Sequence, residues 1–205
     1  MVFNKDRSRD DLKMITNNPT LESPIYGEES FYTDDFLTEK EEKRFIREVE
    51  KIVRKSPEYD RWVRFVHGAL GTGFVCYLTG HTSDECKIEL HHYPISLYNY
   101  IQIAIYNNDS FTSFDIAHQV MKWHFENMIG FIPLSQSVHE MYHNNYLKIP
   151  IDIVEGEWEA ILSAVDIPDK IKAQVDMLKT ITLDTVSENW EIREKQYDLK
   201  ITNSL

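Results

Sequence analysis

The 205-residue chain has little of what would place it in a membrane, outside a cell, or on nucleic acid by bulk charge. It holds no run of about 18 apolar residues, so the sequence offers no membrane span. Its start, MVFNKDRSRDDLKM, is charged where a secretory leader needs an apolar segment. There are only two cysteines, Cys76 and Cys86; their spacing would allow one disulfide, but a cytosolic chain keeps them as thiols. These absences lead us to expect a soluble, cytoplasmic protein with no membrane partner.

Basic charge is also scarce. With 22 Lys and Arg against 34 Asp and Glu, the net charge is −12, which argues against broad attraction to phosphates. The imbalance is uneven. Between Arg61 and Pro150 five cations face seven carboxylates, a local net of −2, which leaves −10 for the two ends. All eight histidines (67, 81, 91, 92, 118, 124, 139 and 143) lie in that near-neutral middle, where any chemistry is expected.

A 42% hydrophobic chain of this length can bury one good-sized core. Neither an internal repeat nor a low-complexity tract interrupts it. Residues 1–36 mix charge, Asn, Pro and Ser without periodicity and read as a mobile arm. Residues 37–150 read as a helical lead-in and a core, and 151–205 as a C-terminal helical extension.

Thr38-Glu39-Lys40-Glu41 has the form of a capping box, followed by Phe45, Ile46, Val49, Ile52 and Val53 on one helical face. A second amphipathic helix starts at Pro57 and ends near Gly71. Gly73–Gly80 reads as a strand and Lys87–His92 as its return, a hairpin joined by GHTSDE. Helices are expected around Leu97–Tyr106 and Asp115–Met128, the latter capped by Thr112 or Ser113. Ser137-Val-His-Glu140 resembles another capping box, opening a short helix that carries His139 and His143. GEWEAILSAV and PDKIKAQVDMLKTITLDTV predict two more helices, with Pro168 at a first helical position, and the last dozen residues are expected to fray.

The stretch IELHHYP ends a strand with two histidines. Successive strand side chains point to opposite faces, so His91 and His92 cannot easily share one task. His139 and His143, at i and i+4, stand side by side on their helix and can grip one ion. A strand-end histidine plus that pair makes a three-imidazole site with a position left for water.

IELHHYP followed by ENMIGFIPLSQSVHEMYH resembles the HNH (His-Me finger) endonucleases, and in particular the HNH-type proteins of bacteriophages. The resemblance covers residues 74–145. It implies an α+β fold: a mainly helical chain around a small ββα-metal core, with a helical insertion. It further implies that His91, His139 and His143 bind a metal, and that His92 is the general base for hydrolysis of a DNA phosphodiester. Three imidazoles suit one divalent transition ion, zinc, manganese or nickel, better than magnesium.

Three departures stand out. The family's central Asn, about nine residues before the first helical His, falls here on Gly130, and Asn127 is the candidate to position the loop instead. Of the four cysteines of two CxxC pairs only Cys76 is present, so packing is expected to replace a structural zinc. The 47 residues from His92 to His139 leave room for the two helices of the insertion.

His67, His118 and His124 read as packed or surface imidazoles, and His81 is given no role. Tyr93, Tyr98, Tyr100 and Trp123 read as core rather than as a base-stacking platform, which would need a basic groove. Two alternatives to the nuclease stay open: an HNH-fold phage accessory protein that binds a protein partner with little or no catalysis, and a zinc hydrolase of small phosphoesters.

Overall fold

Thr38 has extended backbone, and its hydroxyl accepts the Glu41 N–H at 3.3 Å, starting helix α1 (Glu39–Lys55). Three carboxylates in the first turn and Arg54 and Lys55 in the last suit the helix dipole. Ser56 ends α1. Pro57, which has no N–H to leave unsatisfied, opens α2 (Pro57–Ala69). The computed structural model describes residues 38–69, 74–109 and 111–183; the expected arm over 1–36 and the fraying last dozen residues lie outside them.

Phe45, Ile46, Val49 and Val53 of α1 are buried against α3 (Leu97–Tyr106) and α4 (Ser113–Phe125). The sequence IQIAIY makes α3 apolar on nearly every side, as befits a helix in the middle of a bundle. Thr112 and Asp115 form a full reciprocal capping box at the start of α4. The helix thus begins two residues before the expected Asp115 and stops at Phe125, short of Met128.

The expected hairpin does not form. Strand β1 (Ile88–His92) pairs antiparallel with β2 (Phe131–Ser135), from Ile88 opposite Ser135 to His92 opposite Phe131. The stretch after Gly73 instead folds on itself: Gly80, at φ 73°, donates its N–H to the Cys76 carbonyl, and Val75 and Thr82 make a lone bridge. It touches the sheet through the Tyr77 N–H, which donates to the Pro133 carbonyl at 3.1 Å. All five residues of β2 are buried, so it lacks the alternation of a half-exposed strand, and Pro133 argues against a strand by pattern alone.

Helix α5 (Gln136–His143) follows β2 without a loop. Its N-cap is Ser135, whose side chain makes no capping bond, so the capping box expected at Ser137 is absent and Ser137 lies in the first turn. Next come a short 3-10 turn (Ile151–Ile153), α6 (Glu159–Ala164) and α7 (Asp169–Leu178), with Pro168 just outside α7 rather than within it. A smaller core of Cys76, Tyr93, Ile132, Leu134, Val138, Ile149 and Leu178 joins the sheet to α5 and α7.

The protein is therefore α+β, mainly helical with one two-stranded antiparallel sheet, and α3 and α4 are inserted between the strands. Among the described residues no helix is long and apolar enough to cross a membrane.

Candidate metal centre

Strand alternation turns Glu89 and His91 to the same side of β1, and α5 packs on that side. His139 and His143, one turn apart on α5, meet His91 there; one ligand atom from each of the three lies within 4.8 Å of the others. The two helical Nε2 atoms are 2.9 Å apart. Glu89 Oε2 lies 2.8 Å from His139 Nδ1, so that nitrogen carries the proton and donates it, and the Nε2 lone pair faces the cluster. Lys87 holds the other Glu89 oxygen, and the hydrogen bonds from Lys87 and His139 pull the Glu89 carboxyl below its usual range.

The three nitrogens could hold a metal ion. Imidazole ligands at about 2.0–2.1 Å in a tetrahedron stand about 3.4 Å apart, so small side-chain adjustments would bring all three onto one centre. Burial, then the neighbouring His139 and His143, drops the His91 pKa to about 3, and burial likewise lowers that of His143. Neutral imidazoles are the ligating form. His91 is buried, His139 half-buried and His143 exposed, so the cluster opens to solvent on the His143 side. The Tyr142 ring packs 4.9 Å from the His91 ring, walling the buried side.

His92 takes the opposite face, as alternation requires. It is 5% exposed and stacks on Trp62, with His124 at its edge. His92 Nε2 lies 3.0 Å from His124 Nε2, and His124 Nδ1 lies 2.8 Å from the Val120 carbonyl. A carbonyl only accepts, so His124 carries its proton on Nδ1 and its Nε2 accepts from His92. His92 is thereby the Nε2–H tautomer, and its lone pair is on Nδ1. Burial, then the neighbouring His124, holds the His92 pKa well below the usual histidine range, and burial lowers that of His124 to about 4. His124 also lines an open groove of about 960 Å³ with Arg61, Trp62, Phe65 and Phe131, so the pair lies just beneath the surface.

By sequence His124 is a packed or surface imidazole; in the fold it is the residue that holds His92. Its signal was its place on the stripe Ile116, Val120, His124, the buried side of α4. His67, His81 and His118 are exposed, and none of them belongs to the three-histidine cluster.

Gly130 has a steric reason to lack a side chain. A Cβ there would lie 2.2 Å from the Tyr93 carbonyl oxygen, which rules out asparagine in this geometry. The loop is held by backbone instead: Tyr93 N–H donates to the Gly130 carbonyl at 3.0 Å, and Gly130 N–H donates to the Tyr100 hydroxyl at 3.0 Å. Asn127 sits in the left-handed region at φ 60°, and its carbonyl accepts the Glu157 N–H at 2.7 Å. Among the described residues its side chain makes no hydrogen bond, so Asn127 shapes the loop through its backbone. Tyr100 is the side chain that ties the loop down, a role not foreseen from sequence. Cys76 is buried among apolar side chains, and Cys76 and Cys86 are both free thiols.

The family model for bacteriophage G278-like virion proteins matches residues 5–204. The chain belongs to that family. No curated protein and no solved structure matches it. Membership ties this G278-like protein to bacteriophages, and the match spans the histidine cluster, the helical insertion and the C-terminal helices together.

Proposed function

We propose that this G278-like protein is a metal-dependent endonuclease of the HNH type, hydrolysing DNA phosphodiester bonds. The observation that carries the reading is the convergence of His91, His139 and His143 on a strand–strand–helix unit, β1, β2 and α5. His91 on a strand and His139 and His143 on the following helix stand where the resemblance expects ligands, whereas the insertion falls between the two strands rather than after both.

His91, His139 and His143 would hold the ion, which when bound supplies positive charge to the developing phosphorane and the leaving oxygen. Glu89 fixes the tautomer that His139 needs as a ligand. His92 is the general base: it is neutral at pH 7, and its hydrogen bond to His124 leaves Nδ1 as the nitrogen that takes a proton from the attacking water. The proton can then pass to solvent. Burial behind Trp62 keeps the imidazole in one orientation, the task otherwise given to a central Asn. An enzyme carried in a virion would act on packaged or delivered DNA.

One observation favours a second reading. His92 is only 5% exposed and faces away from the three-histidine cluster. If that packing is permanent, the ion is a structural staple and the chain an HNH-fold accessory protein that binds a protein partner. Bound metal and plasmid nicking, measured for the natural protein, His92→Ala and His139→Ala, separate the two. The nuclease reading expects His92→Ala to keep metal and lose nicking, and His139→Ala to lose both. Metal bound in full with no cleavage of any polynucleotide would support the staple, and cleavage confined to small phosphoesters would make the protein a different hydrolase.

A further inference from the structure

Acidic as the chain is, seven of its 22 Lys and Arg stand on one helix. On α1, Lys40, Arg47, Lys51, Arg54 and Lys55 are exposed and form no ion pair among the described residues. Lys43 and Arg44 stand among them, paired to Glu39 and Glu48. At 100° per residue, all seven fall within an arc of about 120°, opposite the buried face of Phe45, Ile46, Val49 and Val53. The carboxylates Glu39, Glu41, Glu48 and Glu50 border the arc and none falls inside it. The stripe runs about 22 Å along the axis, at 1.5 Å per residue from Lys40 to Lys55.

A solvated helix commonly mixes signs around its exposed half; a one-sign stripe leaves five of these seven cations without the i,i+4 pairs that mixing provides. Charges act over roughly 8 Å at physiological salt, so an anion on this face meets the stripe rather than the net charge of the chain. The stripe also has a direction. Its Lys55 end runs straight into α2, whose Tyr59 and Trp62 pack against His92 and His124. A rod of phosphates laid along α1 would therefore end beside the histidines.

We propose that the outer face of α1 is a nucleic-acid backbone track, on which Lys40, Arg47, Lys51, Arg54 and Lys55 contact the phosphates of a DNA duplex. Counting Arg44, which Glu48 pairs, the cations at 40, 44, 47, 51 and 54 recur every three to four residues, so that successive ones stand about 5–6 Å apart, close to the separation of successive phosphates on one strand. The track reads no sequence. It holds the duplex while the histidine end of the molecule engages one strand. The choice of DNA as the polyanion rests on the nuclease reading, whereas the presence of the track does not.

The test is fluorescence anisotropy of a labelled DNA duplex of about 30 base pairs with the full chain in EDTA, so that binding is read without cleavage. Between about 50 and 200 mM KCl, five phosphate contacts predict a slope of log K on log salt of about −4.5. In Arg47→Gln/Lys51→Gln/Arg54→Gln the slope should shrink by about 3 and affinity fall at least tenfold. Lys122→Gln/Lys148→Gln/Lys172→Gln, which removes equal charge elsewhere on the surface, should leave both unchanged. Circular dichroism checks that each variant is folded. No binding, an unchanged slope in the α1 triple variant, or an equal loss in the control triple variant overturns the proposal. So does polyglutamate displacing the duplex as well as unlabelled DNA does, which would make the partner an acidic protein segment. Binding through α1 without plasmid nicking in the metal-loaded protein would sink the nuclease reading alone, and nicking unaffected by the α1 triple variant would sink the track alone.

Discussion

Acid should unfold this protein through its buried imidazoles, and His124 sets the scale. Its side chain is 2% exposed, donates from Nδ1 to a carbonyl and accepts at Nε2, so the folded state holds it neutral with a pKa of about 4. In the unfolded chain the same group titrates near 6.5. The folded pKa is the lower one, so between these values the unfolded state binds more protons, and stability falls as pH drops below about 6.5 and levels off below about 4. From pH 7 to pH 5, linkage through this single group removes about 2 kcal/mol. His92, depressed in the same direction, adds to the loss. Urea unfolding in EDTA at the two pH values reads the effect as a lower midpoint with unchanged slope, and His124→Gln, which keeps an acceptor for His92 but does not titrate, should flatten the dependence. Equal midpoints at pH 7 and pH 5, or a His124→Gln variant as acid-sensitive as the natural protein, would refute the reasoning.

Two further outcomes follow from the site's surroundings. Gly130→Ala forces a Cβ to within 2.2 Å of the Tyr93 carbonyl and 2.9 Å of Trp158 Cβ, so it should cost about 3 kcal/mol or prevent folding, read from the urea midpoint. Glu89→Gln removes the charged acceptor that orients His139 and should weaken zinc binding by about 10- to 100-fold, measured by competition with a chromophoric chelator, with little change in the metal-free midpoint.

The helices were legible because their information is local. Thr38 before a run of i,i+4 apolar residues, Pro57 after Ser56, and Thr112 three residues before Asp115 specify their ends within a few positions. The alternation of β1 separated the tasks of His91 and His92, and the i,i+4 spacing paired His139 with His143. The basic arc of α1 was equally local; it is hidden in a net charge and appears once the cations are placed at 100° intervals.

What sequence could not supply was the partner of β1. A strand's hydrogen bonds are closed by whichever chain lies beside it, and Phe131–Ser135, buried at every position and carrying Pro133, gave no periodic sign of being that chain. His124, Tyr100 and Glu89 have the same standing. They act across 32, 30 and 50 residues of chain, on His92, Gly130 and His139, and only tertiary packing brings them there. Sequence alone determined which residues could ligate and on which face of which element each would stand; the fold decided which imidazoles meet, which tautomer each carries, and that Gly130 has no room for a side chain, because those depend on contacts that close only when distant segments pack.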